Sequence, residues 1–197
     1  MDFRRRLTAL LLGLIATSSL LLPLSFAQTN QPLPVQQPVA PEMSPPGDIP
    51  DNQLFVPYQS PAGFTIEIPE GWAKTESGNT VLFADKYNLI DITVSDAKAA
   101  PTAQSVQADM IPALMATDRA VEVAKVSGVT LPGGEAVRID YASNSDPNPV
   151  TNKQVRLEDN RYLFFKDGKL VTVTFAAPFG ADNVDAWQQM AQSFRWN

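Results

Sequence analysis

Alternation of apolar and polar residues marks a strand at 64–68, where the sequence reads FTIEI. A period of two puts the phenylalanine and both isoleucines on one side, which is typical of a half-buried strand. We expect the strand to stop at Pro69, since proline has no N–H for a sheet, and Gly71 then allows a tight turn. Trp72 is predicted to fold back as a corner anchor that closes one end of the core. The alternative is an exposed aromatic platform that contacts a partner.

The same alternation continues along the chain. It predicts strands at 80–84, 89–95, 121–129 and 135–143, and another that begins near Val155. A short turn at 85–88 joins the first two, so that 64–68, 80–84 and 89–95 read as a meander. The polar stretch 144–152 is predicted to be a loop.

The clearest hairpin lies at 161–175, RYLFFKDGKLVTVTF, with Asp167-Gly168 as its two-residue turn. The register that follows pairs Lys166 with Lys169, Phe164 with Val171, Tyr162 with Val173 and, on the other face, Phe165 with Leu170. Both faces of the hairpin therefore carry large apolar side chains. A sheet of this kind needs cover on both sides.

Two segments have helical spacing. Val106, Met110 and Leu114 predict a helix over 102–117, in which Pro112 should cause a kink or a break. The alternative is a shorter helix followed by an irregular turn. A second apolar stripe consists of Val184, Trp187, Met190 and Phe194. Its spacing predicts a C-terminal helix, which Asp182 would cap. The predicted fold class is α+β: an alpha/beta/alpha sandwich with a mainly antiparallel sheet of about six to seven strands and helices packed on its faces.

The N-terminal residues have a different pattern. Arginines at 4–6, an apolar run over 7–24 and the small residues of Ser25-Phe26-Ala27 predict a signal peptide at 1–27, cleaved after Ala27. A retained membrane anchor is the alternative. The segment 28–57 is rich in Pro and Gln, and we expect a disordered linker in extended polyproline II form, or else a recognition segment. The folded domain is predicted at 58–197.

The amino-acid composition and net charge limit the kinds of molecule that the protein is expected to bind. The chain of 197 residues contains no cysteine, so disulfides are excluded. Cleavage after Ala27 would remove three arginines and one aspartate and leave 12 basic and 20 acidic residues, a net charge of −8. An acidic surface repels phosphate backbones and anionic headgroups. We therefore expect no nucleic-acid partner and no stable membrane insertion after cleavage.

Three segments in order resemble the PsbP-like superfamily: GFTIEIPEGW, RYLFFKDGKLVTVTFAAP and DAWQQMAQSFRW. This superfamily includes the photosystem II extrinsic protein, and a Ran-binding nuclear import factor shares its fold. The resemblance covers roughly 58–196. It implies a sandwich around an antiparallel sheet and a non-catalytic domain that docks on a larger assembly or aids its assembly. The sequence departs from better-known members because it has neither the lipidated cysteine of bacterial photosystem versions nor a histidine for proposed metal contacts.

The available chemistry is restricted to oxygen groups. With no histidine and no cysteine, Ser-His-Asp and Cys-His catalysis and ordinary zinc sites are excluded. No phosphate-binding glycine motif is present either. The remaining possibilities are catalysis by paired carboxylates and the binding of Ca²⁺ or Mg²⁺. Two groups of acidic residues are candidates for either role: Asp85 with Asp91, and Asp146 with Glu158 and Asp159. Acidic residues in strand ends and loops usually face water, so we predict no catalytic, cofactor-binding or metal-binding residues and no cofactor.

The predicted function is an exported, non-enzymatic protein that binds, docks or assists a larger extracytoplasmic complex through a protein partner. The expected location is periplasmic, extracellular or lumenal. The loop 143–148, SNSDPN, is either a binding loop or a solvated hairpin connection. Two other functions stay open: an envelope structural protein with a Pro-rich tether, and a carboxylate-dependent hydrolase.

Overall fold

The structure is a computed structural model of the chain, and it describes residues 36–41 and 47–197. The predicted signal peptide at 1–27 lies outside the described residues, as do 28–35 and 42–46 of the predicted linker. Within the described part of the chain, no helix is both long enough and apolar enough to cross a membrane.

Ten strands of the described chain form two antiparallel sheets. Their bounds are β1 Phe55–Ser60, β2 Phe64–Pro69, β3 Ala73–Ser77, β4 Thr80–Asp85, β5 Asn88–Asp96, β6 Arg119–Leu131, β7 Gly134–Asn144, β8 Arg156–Lys166, β9 Lys169–Pro178 and β10 Arg195–Trp196. The large sheet has seven strands in the order β3-β4-β5-β9-β8-β7-β6, and the small sheet has three in the order β1-β2-β10. The predicted α+β class with a mainly antiparallel sheet is confirmed.

The predicted meander is wrong in one strand. β2 belongs to the small sheet, and β3 takes the place beside β4 that the sequence pattern assigned to 64–68. β3 reads AKTES and is exposed along its whole length, so it carries no apolar alternation that would reveal it. The predicted hairpin is confirmed, with Phe164 opposite Val171 and Phe165 opposite Leu170.

We call the side of the large sheet that faces the small sheet its inner face. Together with the third helix, α3 (Val184–Ser193), the small sheet covers a core of aromatic and branched side chains on this face. Phe194 follows α3 directly and stacks on Phe164 with 3.9 Å between ring centroids. The turn from β6 to β7 comes so close that a side-chain carbon at Gly133 would lie 2.6 Å from the Phe194 ring.

Trp72 has the position expected of an anchor, although part of it remains exposed. β2 ends at Pro69, and Gly71 has a φ of +87°, which returns the chain toward the sheet. The Trp72 side chain is partly buried against the inner core.

The helical segment before β6 continues through Pro112, so the predicted break is wrong, and the helix changes its winding just before the proline. It consists of α1 (Ala103–Ser105), a π-helical stretch (Val106–Met110) and α2 (Ile111–Thr117). The π-helical stretch places Pro112 in the first turn of α2, where a missing N–H removes no necessary hydrogen bond. Val106, Ile111 and Leu114 pack on the other side of the large sheet, which we call its outer face.

Two predictions about α3 are wrong. Its N-cap residue is Asn183 and not Asp182, and Val184 is 60% exposed and does not join the buried stripe. Asn183 makes no capping hydrogen bond, because its side chain binds the backbone of residues 47 and 49 instead. The remaining stripe residues Trp187, Met190 and Phe194 are buried as predicted.

The fold also starts earlier than predicted. β1 begins at Phe55, three residues before the expected domain boundary at Tyr58. Ile49 is only 7% exposed and belongs to the inner core. Part of the Pro-rich segment is therefore packed on the domain, because it carries apolar residues that the core can accept.

Candidate functional site

A cleft of about 870 Å³ lies on the outer face, on the half of the sheet that the helical segment leaves uncovered. Its volume falls within the range of about 300–1,000 Å³ that is usual for ligand-binding pockets. The floor comes from four neighbouring strands, and its side chains are those of Leu89, Asp91, Tyr141, Ser143, Leu157, Asp159, Arg161, Thr174 and Ala176.

Strand register brings these floor residues together. Asp91 of β5 lies opposite Thr174 of β9, which lies opposite Arg161 of β8. In the next row Ala176 lies opposite Asp159, which lies opposite Tyr141 of β7. Alternate residues of a strand share a face, so Asp159 and Arg161 point to the same side of the sheet.

Three connections form the walls of the cleft. The β4–β5 turn contributes Tyr87, which is 49% exposed, and the end of α2 contributes Thr117 and Asp118. The loop between β7 and β8 forms the third wall. Its turn is held by Asn148, whose Oδ1 accepts hydrogen bonds from the backbone N–H groups of residues 150 and 151, both at 3.0 Å.

Asp159 is the most deeply buried acid of the cleft floor, at 4% exposure. Ser143 Oγ donates a hydrogen bond to its Oδ2 at 2.8 Å. Burial raises the pKa of Asp159 to about 7, although the Ser143 hydrogen bond and the charges of Arg161 and Arg156 act in the opposite direction. Asp118 adds to the increase. This carboxyl therefore changes its charge near neutral pH.

Arg161 organises the middle of the floor. Its Nε donates to Thr174 Oγ1 at 2.9 Å, and one terminal nitrogen lies 3.5 Å from Asp118 Oδ2. The guanidinium carbon lies 5.3 Å from the centre of the Tyr141 ring, within the range of a cation–π contact. Tyr141 is 4% exposed, and among the described residues no buried side-chain nitrogen or oxygen lacks a hydrogen-bond partner.

The carboxylates that the sequence singled out separate into two sets. Asp91, Asp146 and Asp159 line the cleft, whereas Asp85 and Glu158 do not. Asp91 accepts a hydrogen bond from Thr93 at 3.1 Å, and burial raises its pKa. Asp146 pairs with Arg119 at 3.0 Å. Among the described residues, no three His, Cys, Asp or Glu side chains converge on a point where a metal ion would bind.

Part of the Pro-rich segment is held at the rim of the cleft by Asn144, which is 4% exposed. The Asn144 side chain accepts from Val39 N at 3.2 Å and donates to Gln37 O at 2.9 Å. Arg156 orients the amide by donating to its Oδ1 at 3.1 Å. The side chain thus binds the main chain of the segment much as a neighbouring strand would.

Sequence reasoning missed Tyr141, Arg161, Thr174 and Asp118 as members of a site. One signal of the site was present in the sequence. Leu157 and Leu163 are buried on one side of β8. Asp159 and Arg161 lie between them at the alternate positions of the same side, where apolar residues are expected. Of the predicted loop at 143–148, Ser143 and Asn144 are the last residues of β7, and residues 145–148 belong to the hairpin connection that forms a wall of the cleft.

Comparison with known proteins supports the fold. The solution structure of cyanobacterial PsbP (CyanoP) from Synechocystis sp. PCC 6803 matches with a TM-score of 0.55 and 16% identity, covering 77% of this chain and 98% of that chain. The Ran-binding protein Mog1p of Saccharomyces cerevisiae gives a TM-score of 0.49 and 10% identity, covering 74% and 96%. LpqN of Mycobacterium tuberculosis, involved in cell envelope biogenesis, gives 0.43 and 14%, covering 74% and 91%. No protein-family model and no curated protein matches the sequence.

The chain therefore has the fold of PsbP-like proteins, and the evidence for this fold is the structural match to CyanoP. The predicted resemblance is confirmed at the level of the fold. At such low identity the match does not extend to function or to particular residues.

Proposed function

We propose that this chain is an exported, non-enzymatic PsbP-like module that docks on a protein partner of a larger extracytoplasmic complex, and that the cleft on the outer face is its binding site. The observation that carries the proposal is the polar cleft floor itself. Asp159, Arg161 and Thr174 are held by neighbouring side chains on a rigid sheet, and the face above them is open. Fixed polar groups in a concave surface favour specific binding.

A further observation supports a docking role. The cleft is walled by loops carried on a scaffold of paired strands, which is where binding residues are most often found. Export is supported by the basic start, the apolar run and Ser25-Phe26-Ala27.

Export is tested by the N-terminus of the protein in its native cells. We expect intact mass and terminal sequencing to place the first residue at Gln28. A protein that still begins at Met1 in the membrane fraction would contradict cleavage and favour the anchor.

Docking is tested by a photo-cross-linking residue in place of Tyr87, at the cleft wall, and a matched one in place of Val184, which is 60% exposed and lies outside the cleft. We expect a discrete adduct from position 87 and none from position 184. Excess purified protein should abolish the adduct, whereas the folded Arg161→Ala variant should not. The same adducts from both positions, or none from position 87, would contradict docking at the cleft.

One contact favours a second candidate, a carboxylate-dependent hydrolase. Ser143 Oγ lies 2.8 Å from Asp159 Oδ2, and a carboxyl with a pKa of about 7 suits a general base near neutral pH. Ser143 is only 6% exposed, however, and a nucleophile must be reached by its substrate. Assays with a panel of ester and amide substrates test this candidate function. A hydrolase of this kind requires that the parent protein hydrolyses a substrate and that the Ser143→Ala variant does not.

A further inference from the structure

Two buried asparagines hold the N-terminal segment through the same main-chain contact, which we call a main-chain clamp. Asn144 accepts a hydrogen bond from the N–H of Val39 at 3.2 Å and donates one to the carbonyl of Gln37 at 2.9 Å. Asn183 makes the same contact with the last N–H and the first carbonyl of the stretch 47–49, at 2.6 and 2.9 Å. Each amide therefore recognises a carbonyl and the N–H two residues later, independently of the side chains.

The two clamps differ in how firmly the bound stretch is held. Ile49 is only 7% exposed and belongs to the inner core, and Asp48 accepts a further hydrogen bond at 2.9 Å from the backbone just before α3. In the stretch 37–39, two residues are exposed and the third, Val39, is half-buried. Hydrogen bonds contribute little net free energy where water competes for them. The stretch 47–49 is thus part of the fold, whereas 37–39 can leave its clamp.

The domain builds the Asn144 clamp without help from the stretch that it holds. Asn144 and Arg156 are each 4% exposed. Arg156 donates a hydrogen bond to Asn144 Oδ1 at 3.1 Å and another to the carbonyl of Ala120 at 2.7 Å. Because an arginine can only donate, this contact fixes which end of the amide is the oxygen. The clamp therefore keeps its orientation when 37–39 leaves.

The contacts of the Asn144 clamp define the ligand that it accepts. The residue between the bound carbonyl and the bound N–H uses no main-chain group in the clamp, so proline fits there, as Pro38 does. Gln154, beside the clamp, donates to the side chain of Gln36 at 3.0 Å. Within 36–41 only the first and fourth residues are half-buried, and a spacing of three is that of polyproline II. The ligand is therefore an extended peptide with the pattern X-Pro-aliphatic.

We propose that the Asn144 clamp binds an extended X-Pro-aliphatic segment of the docking partner, and that the stretch 37–39 occupies the clamp until the partner displaces it. The inference rests on the proposed docking function and names the kind of segment that the partner presents. Asn144 and Gln154 also line the cleft, so the clamp and the cleft form one continuous surface. A partner seated in the cleft holds its own segment at high local concentration beside the clamp and competes with 37–39.

The first test compares two proline substitutions in the ¹⁵N-labelled mature chain. Val39→Pro removes the N–H that Asn144 binds, whereas Ala40→Pro places the same ring one residue later and keeps that N–H. We expect the side-chain amide signals of Asn144 to shift in Val39→Pro and to remain close to those of the parent in Ala40→Pro. Signals that are unchanged in Val39→Pro would overturn the inference.

The second test adds a capped peptide with the sequence VQQPVAP, which is that of residues 35–41. We expect saturable shifts of the Asn144 side-chain amide in Val39→Pro, with a dissociation constant on the order of millimolar for so short a peptide. Binding should be severalfold weaker in Ala40→Pro, where the chain's own segment competes. The matched peptide VQQPPAP lacks the N–H that the clamp binds and should cause no saturable shift.

Variants of the clamp complete the peptide test, and each is made in the Val39→Pro chain. Asn144→Leu should abolish binding of the VQQPVAP peptide. If this variant does not fold, Gln154→Ala serves in its place and should weaken binding severalfold, because it removes the hydrogen bond beside the clamp. Binding that is unchanged in the folded variant, equal for the two peptides, or absent in the folded Val39→Pro chain would overturn the inference.

The cross-link at position 87 connects the clamp to the partner. Excess VQQPVAP peptide should reduce the cleft adduct severalfold, and VQQPPAP should not. An adduct that VQQPVAP leaves unchanged would overturn the inference, and the docking function would stand without this contact. Peptide binding at the clamp with no adduct from position 87 would contradict docking at the cleft and leave only the peptide site.

Discussion

The two faces of the large sheet differ in chemistry although they are built from the same strands. On the inner face, Ile92, Val173 and Phe175 are fully buried under the small sheet and α3. On the outer face, the neighbouring positions include Asp91 and Thr174, which line the cleft. One face is held by close apolar packing, and the uncovered half of the other is held by hydrogen bonds and ion pairs.

This difference separates stability from binding chemistry. Apolar burial contributes about 25 cal/mol per Å² and needs no precise partner, so the inner face stabilises the fold. Buried carboxyl groups such as Asp159 oppose folding, because burial disfavours their charged form. The outer face therefore carries groups whose presence the stability of the domain does not explain.

The largest expected effect is on the inner face. Phe194 is fully buried and stacks on Phe164 and Phe64 at 3.9 and 5.3 Å between centroids. We expect Phe194→Ala to reduce the free energy of unfolding by about 3–5 kcal/mol, measured by denaturant titration. The matched change on the cleft floor, Leu89→Ala, should cost only about 1 kcal/mol because Leu89 is half-buried. Equal losses would mean that the two faces contribute alike.

The next effect has the opposite sign and depends on pH. Folding raises the pKa of Asp159 from 3.8 to about 7, so the folded chain keeps a proton that the unfolded chain releases between these values. The contribution of Asp159 to the free energy of unfolding does not change with pH below pH 3.8. It decreases as the pH rises from 3.8 to about 7 and is constant above that pH. Asp159→Asn should therefore raise the free energy of unfolding at pH 8 by a few kcal/mol, with about 4 as the ceiling.

Thermal or denaturant unfolding of the parent and Asp159→Asn at pH 4 and pH 8 measures this effect. The amide still accepts the Ser143 hydrogen bond, so the variant removes the charge and keeps the contact. If the two proteins have the same stability difference at both pH values, Asp159 is not the group that titrates.

A smaller loss is expected at the edge of the inner core, at Trp72. Truncation of a fully buried tryptophan to alanine lowers the free energy of unfolding by about 3–5 kcal/mol. For a half-buried tryptophan the corresponding loss is about 2 kcal/mol. Trp72 is partly buried against the core, so we expect about 2 kcal/mol for Trp72→Ala by denaturant titration. A variant as stable as the parent would exclude the anchor role and extend the binding surface to this corner.

The smallest effect is expected at Val184, which the sequence pattern put in the buried stripe of α3. Because it is 60% exposed, Val184→Ser should change the free energy of unfolding by less than about 0.5 kcal/mol. Met190→Ala, at a fully buried position of the same helix, is the control and should cost about 2–5 kcal/mol. A large loss at Val184 would show that α3 covers the inner face through a different side.

Local pattern was sufficient for the elements with strong alternation. The strand that begins at Phe64 and ends at Pro69, the hairpin about Asp167-Gly168 and the apolar stripe of α3 follow from residues that are near one another in the chain. Pattern failed where it was weak: β3 is polar throughout, and β10 has only two residues. Neither strand buries enough apolar surface to leave a period in the sequence.

Tertiary structure alone decided the candidate site. Asp91, Thr174 and Arg161 meet because β5, β9 and β8 pair in one register, and that register is set by packing of the whole inner face. Asn144 and Asn183 bind main-chain groups more than 100 residues away, with separations of 105 and 134. Alternation records which side of a strand is buried, but it does not record which distant strand lies beside it. The sequence by itself therefore determined the elements and their apolar faces, while the neighbours of each polar group were decided by the assembled sheets.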